Sequence, residues 1–493
     1  MRNSKTLLLF GFFLASQILQ AQDFTIARQL FTAHEKFKAK EINDMRFMHK
    51  DIQPLLETAA YHKDFSKKKL GESIEGRDIH LLSYGEGATS VLLWSQMHGD
   101  EPTATMALMD IFNFLTSSDD FDPLRRILKR NLNIHFIPML NPDGAQRFMR
   151  HNANYVDLNR DALRLQNPES RILKAARDSL DAKWGFNLHD QNRYYAAGIT
   201  ENTASISFLA PAYNYDKDIN EVRGNAMKLI VGMNRLLQKY LPGHVGRYND
   251  AFEPRAFGDN IQKWGTSTIL VESGGLKNDP EKQHLRKLHF VLLLSSLLDI
   301  AEQKYEEYPM EEYEEIPYND SNSFHDFILR KAQVERNGKT YTLDLAWRSF
   351  EIDREGTGEF WRSATIMDVG DLSILHGYEE FDGATYSIEP AKVYPKVLSL
   401  KKIKKLDWKK DLVDQGYLAV RLKKSNRFWR FSESPIRIIH EKAKMQTEIR
   451  RGGNPAFFLK RGGVRKYFLT NGKLWDLEQT ETISKAWKRS SGS

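Results

Sequence analysis

The sequence predicts an α/β catalytic domain built on a largely parallel sheet covered on both faces, followed by a β-rich domain. Two observations predict the first part. Short apolar runs alternate with amphipathic helical stretches. His98, Asn141, His189 and Glu272 each lie within a residue or two of the end of an apolar run. Open α/β sheets carry their ligand-binding groups at that edge. The third observation concerns the region after Tyr305. There the helical stretches give way to short runs such as 327–329, 341–345, 373–375 and 417–420, many separated by turns such as Asn337-Gly338, Asp382-Gly383 and Asn471-Gly472, a pattern of strands joined by tight turns.

At the N-terminus, Arg2 and Lys5 precede the apolar run Leu7–Ala15, and the small residue Ala21 follows. A charged stretch, a short apolar core and a small residue at the end read as a signal peptide over 1–21. That implies a secreted or periplasmic protein with no transmembrane segment after signal removal. The later run Leu288–Ile300 is shorter than the roughly 20 residues a membrane span needs. The 493 residues include no cysteine, so the fold relies on its core, which a chain of this length can build.

Residues 22 to about 62 read as helix. Gly71-Glu-Ser-Ile-Glu-Gly-Arg77 reads as a hairpin tip leading into 79–84. Residues 91–97 and 134–140 are apolar enough for buried strands. Apolar positions Ala104, Ala107, Leu108, Ile111, Phe112 and Leu115 recur at helical spacing. Further helices are expected over 170–180, 218–241 and 281–305. A catalytic domain over 22–305, a linker over 306–323 and a β-rich accessory domain over 324–493 complete the organisation. The net charge of +7 is uneven: seven Glu fall in 302–316, and eight Lys with one Asp in 392–410. Such runs are most simply solvated faces or linkers; nucleic acid is not an expected partner, and docking to a surface is left to the C-terminal domain.

The chemistry sits in His98-Gly-Asp-Glu101, Asn141-Pro-Asp-Gly144, Arg150 with Asp157-Leu-Asn-Arg160, His189-Asp190 and Val271-Glu-Ser-Gly274. Two His and one Glu form a zinc set of the catalytic kind, three protein ligands with a position left for water. His98 and Glu101 come from one loop, and His189 comes from another strand end. One zinc ion would lower the pKa of its bound water toward neutrality. Glu272, on a strand rim beside Gly274-Gly275, is the candidate general base. Arg150 can offer N–H donors to an oxyanion. Asn159 and Arg160 can hold a free carboxylate, which guanidinium geometry matches. A carboxylate fork beside a hydrolytic metal suits an exopeptidase.

On these motifs the chain resembles the zinc carboxypeptidases, the carboxypeptidase A-like enzymes, over roughly 71–305. The resemblance implies a three-layer α/β/α sandwich around a mixed sheet of about eight strands. It also implies His98, Glu101 and His189 as ligands, Glu272 as base, Arg150 at the oxyanion, and Asn159 with Arg160 at the carboxylate. Tyr248, 24 residues before Glu272, is loosely placed as a tyrosine covering the bound C-terminus. A specificity pocket is implied near 256–259, where Asp259 would favour a basic terminal residue. The expected activity is removal of C-terminal residues from peptides. Three alternatives stay open: a D,L-carboxypeptidase acting on peptidoglycan stem peptides, an N-acyl amino acid deacylase, and a catalytically dead binder of peptide termini.

Overall fold

The computed structural model describes residues 25–321, 323–353, 360–423, 434–443, 445 and 448–478. The signal-peptide expectation over 1–21 lies outside the described residues. Among them, no helix is long and apolar enough to cross a membrane. The chain divides into two units, one ending at Asp320 and the other starting at Ser321.

The first unit is built on one mixed sheet of eight strands, β1 (Phe65–Glu72), β2 (Asp78–Tyr84), β3 (Thr89–Ser95), β4 (Leu132–Ile137), β5 (Trp184–Asp190), β7 (Ile206–Leu209), β8 (Val245–Arg247) and β9 (Ser267–Ser273); a two-residue strand, β6 (Ala196–Ala197), lies outside it. The spatial order is β1-β2-β4-β3-β5-β9-β7-β8. Strands β4, β3, β5 and β9 run parallel. Their residues are almost all buried, as a sheet covered on both faces requires. Helices α3 (Thr103–Thr116), α7 (Glu221–Leu237) and α9 (Gln283–Ala301) contribute to one large core, and α6 (Pro168–Leu180) and α8 (Phe257–Lys263) to a second. The parallel strands point their carboxyl ends one way. His98, Asn141, His189 and Glu272 therefore share one edge.

Two elements differ from the sequence reading. The N-terminal stretch is two helices, α1 over 25–37 and α2 (His49–Ala60), separated by an irregular segment. That segment carries backbone groups that serve a buried ion pair. Arg286 and Asp110 are fully buried, with Arg286 Nη2 2.5 Å from Asp110 Oδ1. The guanidinium also donates to the carbonyls of Ala39 and Ile42, and the Asp110 carboxylate accepts from Ala39 N–H and bonds the His34 ring. A continuous helix would have used those backbone groups internally.

The second difference is the stretch expected as a linker from 306. Residues 306–320 pack within the first unit. Tyr313 and Ile316 are buried. The Tyr313 hydroxyl accepts from Ala210 N–H, and Arg247 donates to the carbonyls of Glu314 and Ile316. Strand β10 (Asn319–Asp320) pairs with β6. The glutamates between these anchors are mostly exposed, and Glu312 and Glu314 pair with Arg235 and Arg247.

The second unit is β-rich. It holds β11 (Phe324–Arg336), β12 (Lys339–Asp353), β13 (Phe360–Gly370), β14 (His376–Asp382), β15 (Ser387–Pro390), β16 (Lys392–Leu398), β17 (Tyr417–Leu422), β18 (Arg437–His440), β19 (Phe457–Arg461), β20 (Val464–Thr470) and β21 (Lys473–Asp476). One sheet has the order β13-β12-β11-β15-β19-β20-β21, with β14 also paired to β11; a three-stranded sheet has the order β16-β17-β18. Strand β11 turns into β12 at Asn337-Gly338, and β20 into β21 at Asn471-Gly472. All four turn residues have positive φ, the requirement of the tightest hairpin turn. Residues 373–375, expected as a strand, form a turn and leave Ile374 exposed.

Candidate metal centre

Strand β3 ends at Ser95, and the chain turns through His98 to Glu101 before α3 begins at Thr103. This loop lies directly on the backbone of α5 (Pro142–Arg147). A methyl group on Gly99 would sit 2.0 Å from the Gly144 carbonyl carbon, so only glycine fits there. Asn141 caps α5 by accepting from Gly144 N–H, and its amide donates to the Met97 carbonyl. The loop that ends in Arg150 is thus tied to the loop that carries His98.

His98 Nδ1 is 2.7 Å from Glu101 Oε1, His189 Nδ1 is 2.6 Å from Glu101 Oε2, and the two Nδ1 atoms are 3.1 Å apart. All three residues are buried. If both ring N–H groups point at the carboxylate, the two rings face each other with like polarity. A shared cation resolves that conflict. The donor set fits zinc: tetrahedral ligands about 2.0–2.1 Å from the ion lie about 3.3 Å from one another, close to the spacing found. The other ring nitrogen of His98 meets Asp157 Oδ1 at 3.0 Å. A carboxylate behind a ligating imidazole fixes its orientation. Burial would lower the His98 pKa, but Glu101 and Asp157 outweigh it and hold it up at about 9. A metal would have to displace that proton.

Glu272 lies opposite His189 in the β5–β9 ladder. One of its carboxyl oxygens is shut away from solvent and has no hydrogen-bond partner among the described residues. Burial first, then the negative charge of Glu101, pushes its pKa well above the ordinary carboxylate value. The backbone beyond it passes close to a neighbour, with Gly274 N–H donating to Ser205 O at 2.8 Å. A side chain at Gly274 would strike Ala204 O.

Arg150 is part-exposed over the same cluster. It donates to Asp157 through Nε and Nη2, and Nη1 lies 3.2 Å from Glu101 Oε1. Asn159 follows Asp157 in a short 3₁₀ turn, and its side-chain oxygen accepts from Phe257 N–H, so its amide NH₂ is the end left to meet a ligand. Arg160 is exposed, with Nε 3.6 Å from Glu253. Tyr248 packs edge-on to Tyr195. Burial, then Glu272 and Tyr195, raise the pKa of its phenol. Asp259 is buried and accepts from Glu253 N–H; burial pushes its pKa up to about 7.

The sequence reading gave no role to Asp157, Asp143, Asp190 or Lys282. Asp157 stands in the Asp-Leu-Asn-Arg motif, so its position was visible and its partners were not. Fully buried Asp143 accepts from Ser73 Oγ, Glu75 N–H and Arg77, which explains the Gly-Glu-Ser-Ile-Glu-Gly-Arg hairpin tip. Asp190 and Lys282 form an ion pair at 3.0 Å; nothing local in sequence signals Lys282.

Residues 52–224 match the family model described as zinc carboxypeptidase. That span holds His98, Glu101, Arg150, Asn159, Arg160 and His189 and stops before Tyr248 and Glu272. The chain is similar to Carboxypeptidase SOL1 of Arabidopsis thaliana, 26% identical over 227 residues, 38% of this chain and 45% of that protein. It is also similar to Carboxypeptidase M of Mus musculus, 29% identical over 136 residues, 24% of this chain and 31% of that protein. The chain thus spans less than half the length of these curated relatives. Among solved structures, a metallo-carboxypeptidase from Burkholderia cenocepacia is 17% identical, with a TM-score of 0.43 over 52% of this chain and 70% of that one. Over residues 52–224 of its first unit the chain matches the zinc carboxypeptidase family.

Proposed function

We propose that the protein is a secreted or periplasmic zinc carboxypeptidase that removes C-terminal residues from peptides. The observation that carries the reading is the convergence of His98, Glu101 and His189 beside a desolvated Glu272. His98, Glu101 and His189 would hold the ion. When bound, zinc supplies Lewis acidity toward a carbonyl and acidifies water. The chain supplies the rest. Glu272, its pKa raised by burial, takes a proton from water and passes it to the leaving amine. Arg150 offers N–H donors where negative charge develops on the carbonyl oxygen. The Asn159 amide and the Arg160 guanidinium hold the terminal carboxylate, and Tyr248 covers it.

Secretion rests on the charged and apolar pattern of 1–21. Docking falls to the second unit, where Lys396, Lys401, Lys402, Lys404, Lys405 and Lys410 are exposed and form no ion pair among the described residues. The test of function is metal content together with turnover of a panel holding ordinary peptides, peptidoglycan stem peptides and N-acyl amino acids. One zinc per chain and release of a C-terminal amino acid from ordinary peptides supports the reading. Preference for stem peptides or N-acyl amino acids would move it to that substrate. Zinc without turnover of any substrate would leave a binder of peptide termini.

A further inference from the structure

We propose that Lys282 is a positioning residue. Through Asp190 it sets the spacing between the strand end that carries His189 and the one that carries Glu272. The inference rests on the reading of this site as a zinc hydrolase.

Strands β5 and β9 are parallel neighbours, with His189 opposite Glu272 and Asp190 opposite Ser273. The ladder ends there, so regular pairing no longer fixes how far apart the two chain ends stand. Lys282 closes the gap. Its ammonium donates to Asp190 Oδ2 at 3.0 Å and to the Ser273 carbonyl at 2.9 Å. One cation thus bridges both strands, one residue beyond the candidate ligand on one and the candidate base on the other.

The same carboxylate reaches the metal loop. Thr103 Oγ1 donates to Asp190 Oδ2 at 2.7 Å, and Asp190 N–H donates to Glu101 Oε2 at 3.2 Å. Asp190 therefore joins the loop of His98 and Glu101 to the strand of His189. Ser273 is held from its other side, where its hydroxyl meets His289 Nε2 at 3.0 Å, and its carbonyl also accepts from Gln191 N–H. The segments that carry Glu101, His189 and Glu272 are each fastened within two residues of the group they contribute.

The arrangement is costly, which argues that more than packing holds it. Lys282 is buried, and a buried ammonium is unfavourable unless paired and hydrogen-bonded. Its backbone lies in the left-handed region, at φ 52°, uncommon for a residue with a side chain. The second oxygen of Asp190 has no partner among the described residues. Apolar residues of similar size would give a buried pair of equal or greater stability. They would not give directional bonds to two strand ends.

The test uses the full chain with Lys282→Met, which keeps length and removes the charge, and Thr103→Val, which keeps shape and removes the hydroxyl donor. Zinc affinity is measured by chelator competition; kcat and KM are measured at saturating zinc on a free-acid peptide. Groups behind a metal ligand typically contribute 10- to 100-fold. In Lys282→Met we expect the zinc Kd to rise about tenfold and kcat to fall about 10- to 100-fold with KM nearly unchanged. A variant whose zinc Kd and kcat both stay within about twofold of wild type overturns the proposal, even if its Tm falls. If Lys282→Met does not fold, Thr103→Val is held to the same criterion. A wild-type protein that binds zinc but cleaves nothing would fail as a hydrolase, and the zinc Kd would still decide the role of Lys282 and Asp190.

Discussion

The interior of the first unit and the lysine run of the second use charge in opposite ways. In the first, charged groups are buried and paired: Arg286 with Asp110 between helices α9 and α3, and at the strand ends Lys282 with Asp190 and His98 and His189 with Glu101. In the second, the lysines of 392–410 are mostly exposed, and among the described residues the run's ion pair is Lys409 with Asp414 at 2.9 Å. Desolvated charge interacts strongly and holds geometry; solvated charge does neither. The comparison teaches that the acidic and basic stretches most visible in composition carry little of the chemistry. The charges that matter are single residues in apolar surroundings.

That contrast can be broken most directly at the metal cluster. His189→Ala should abolish zinc binding and turnover while leaving the circular dichroism spectrum of the folded chain in place. Metal analysis checks it, and full zinc occupancy in the variant would end the ligand assignment. Next is Glu272→Gln, which keeps shape and removes the base. We expect zinc to be retained and kcat to fall about 10²- to 10⁴-fold, the usual contribution of acid–base catalysis. Near-normal turnover would assign the base elsewhere.

Stability should show the same asymmetry. Arg286→Met leaves Asp110 buried without its cation, and breaking a buried pair typically costs about 3–5 kcal/mol. The exposed counterpart, Lys402→Met, should stay within about 0.5 kcal/mol of wild type. Denaturant titration of the two variants measures both. Equal losses would erase the distinction drawn between the units.

A separate expected effect is a pH dependence. The pKa of Asp259 is raised in the folded protein, to about 7. The folded chain therefore binds this proton more tightly than the unfolded chain does. The associated stability is fully present below the unfolded pKa of about 4 and is lost as pH rises through 7. Asp259→Asn keeps the oxygen that accepts from Glu253 N–H and removes the titration. Its Tm relative to wild type should rise between pH 5 and pH 8. A constant difference across that range would contradict the assignment.

Much of this was legible in the sequence, and the limits follow from distance along the chain. Strand β3 and helix α3 announce themselves through local periodicity. His98, Glu101, His189 and Glu272 stand at the ends of apolar runs, so their edge could be read before any contact was known. Partners far apart could not be read. Arg286 finds Asp110 across 176 positions and Lys282 finds Asp190 across 92. Nothing near Lys282 or Arg286 marks them as different from surface residues. Composition misled in the 306–320 stretch, where the anchors Tyr313 and Ile316 stand among glutamates. It misled again near Ala39 and Ile42, where a helical pattern conceals a break made by a distant guanidinium.

The central claim is that the buried cluster works on the free C-terminus of a peptide. The direct measurement is the ratio of cleavage rates for a free-acid peptide and its C-terminal amide, in wild type and in Arg160→Ala. A guanidinium fork recognises the carboxylate and not the amide. The wild-type ratio should be large. In Arg160→Ala it should collapse, mainly because cleavage of the free acid falls. A wild-type enzyme that cleaves both peptides equally well would contradict the carboxylate site, and the assignment as a carboxypeptidase with it.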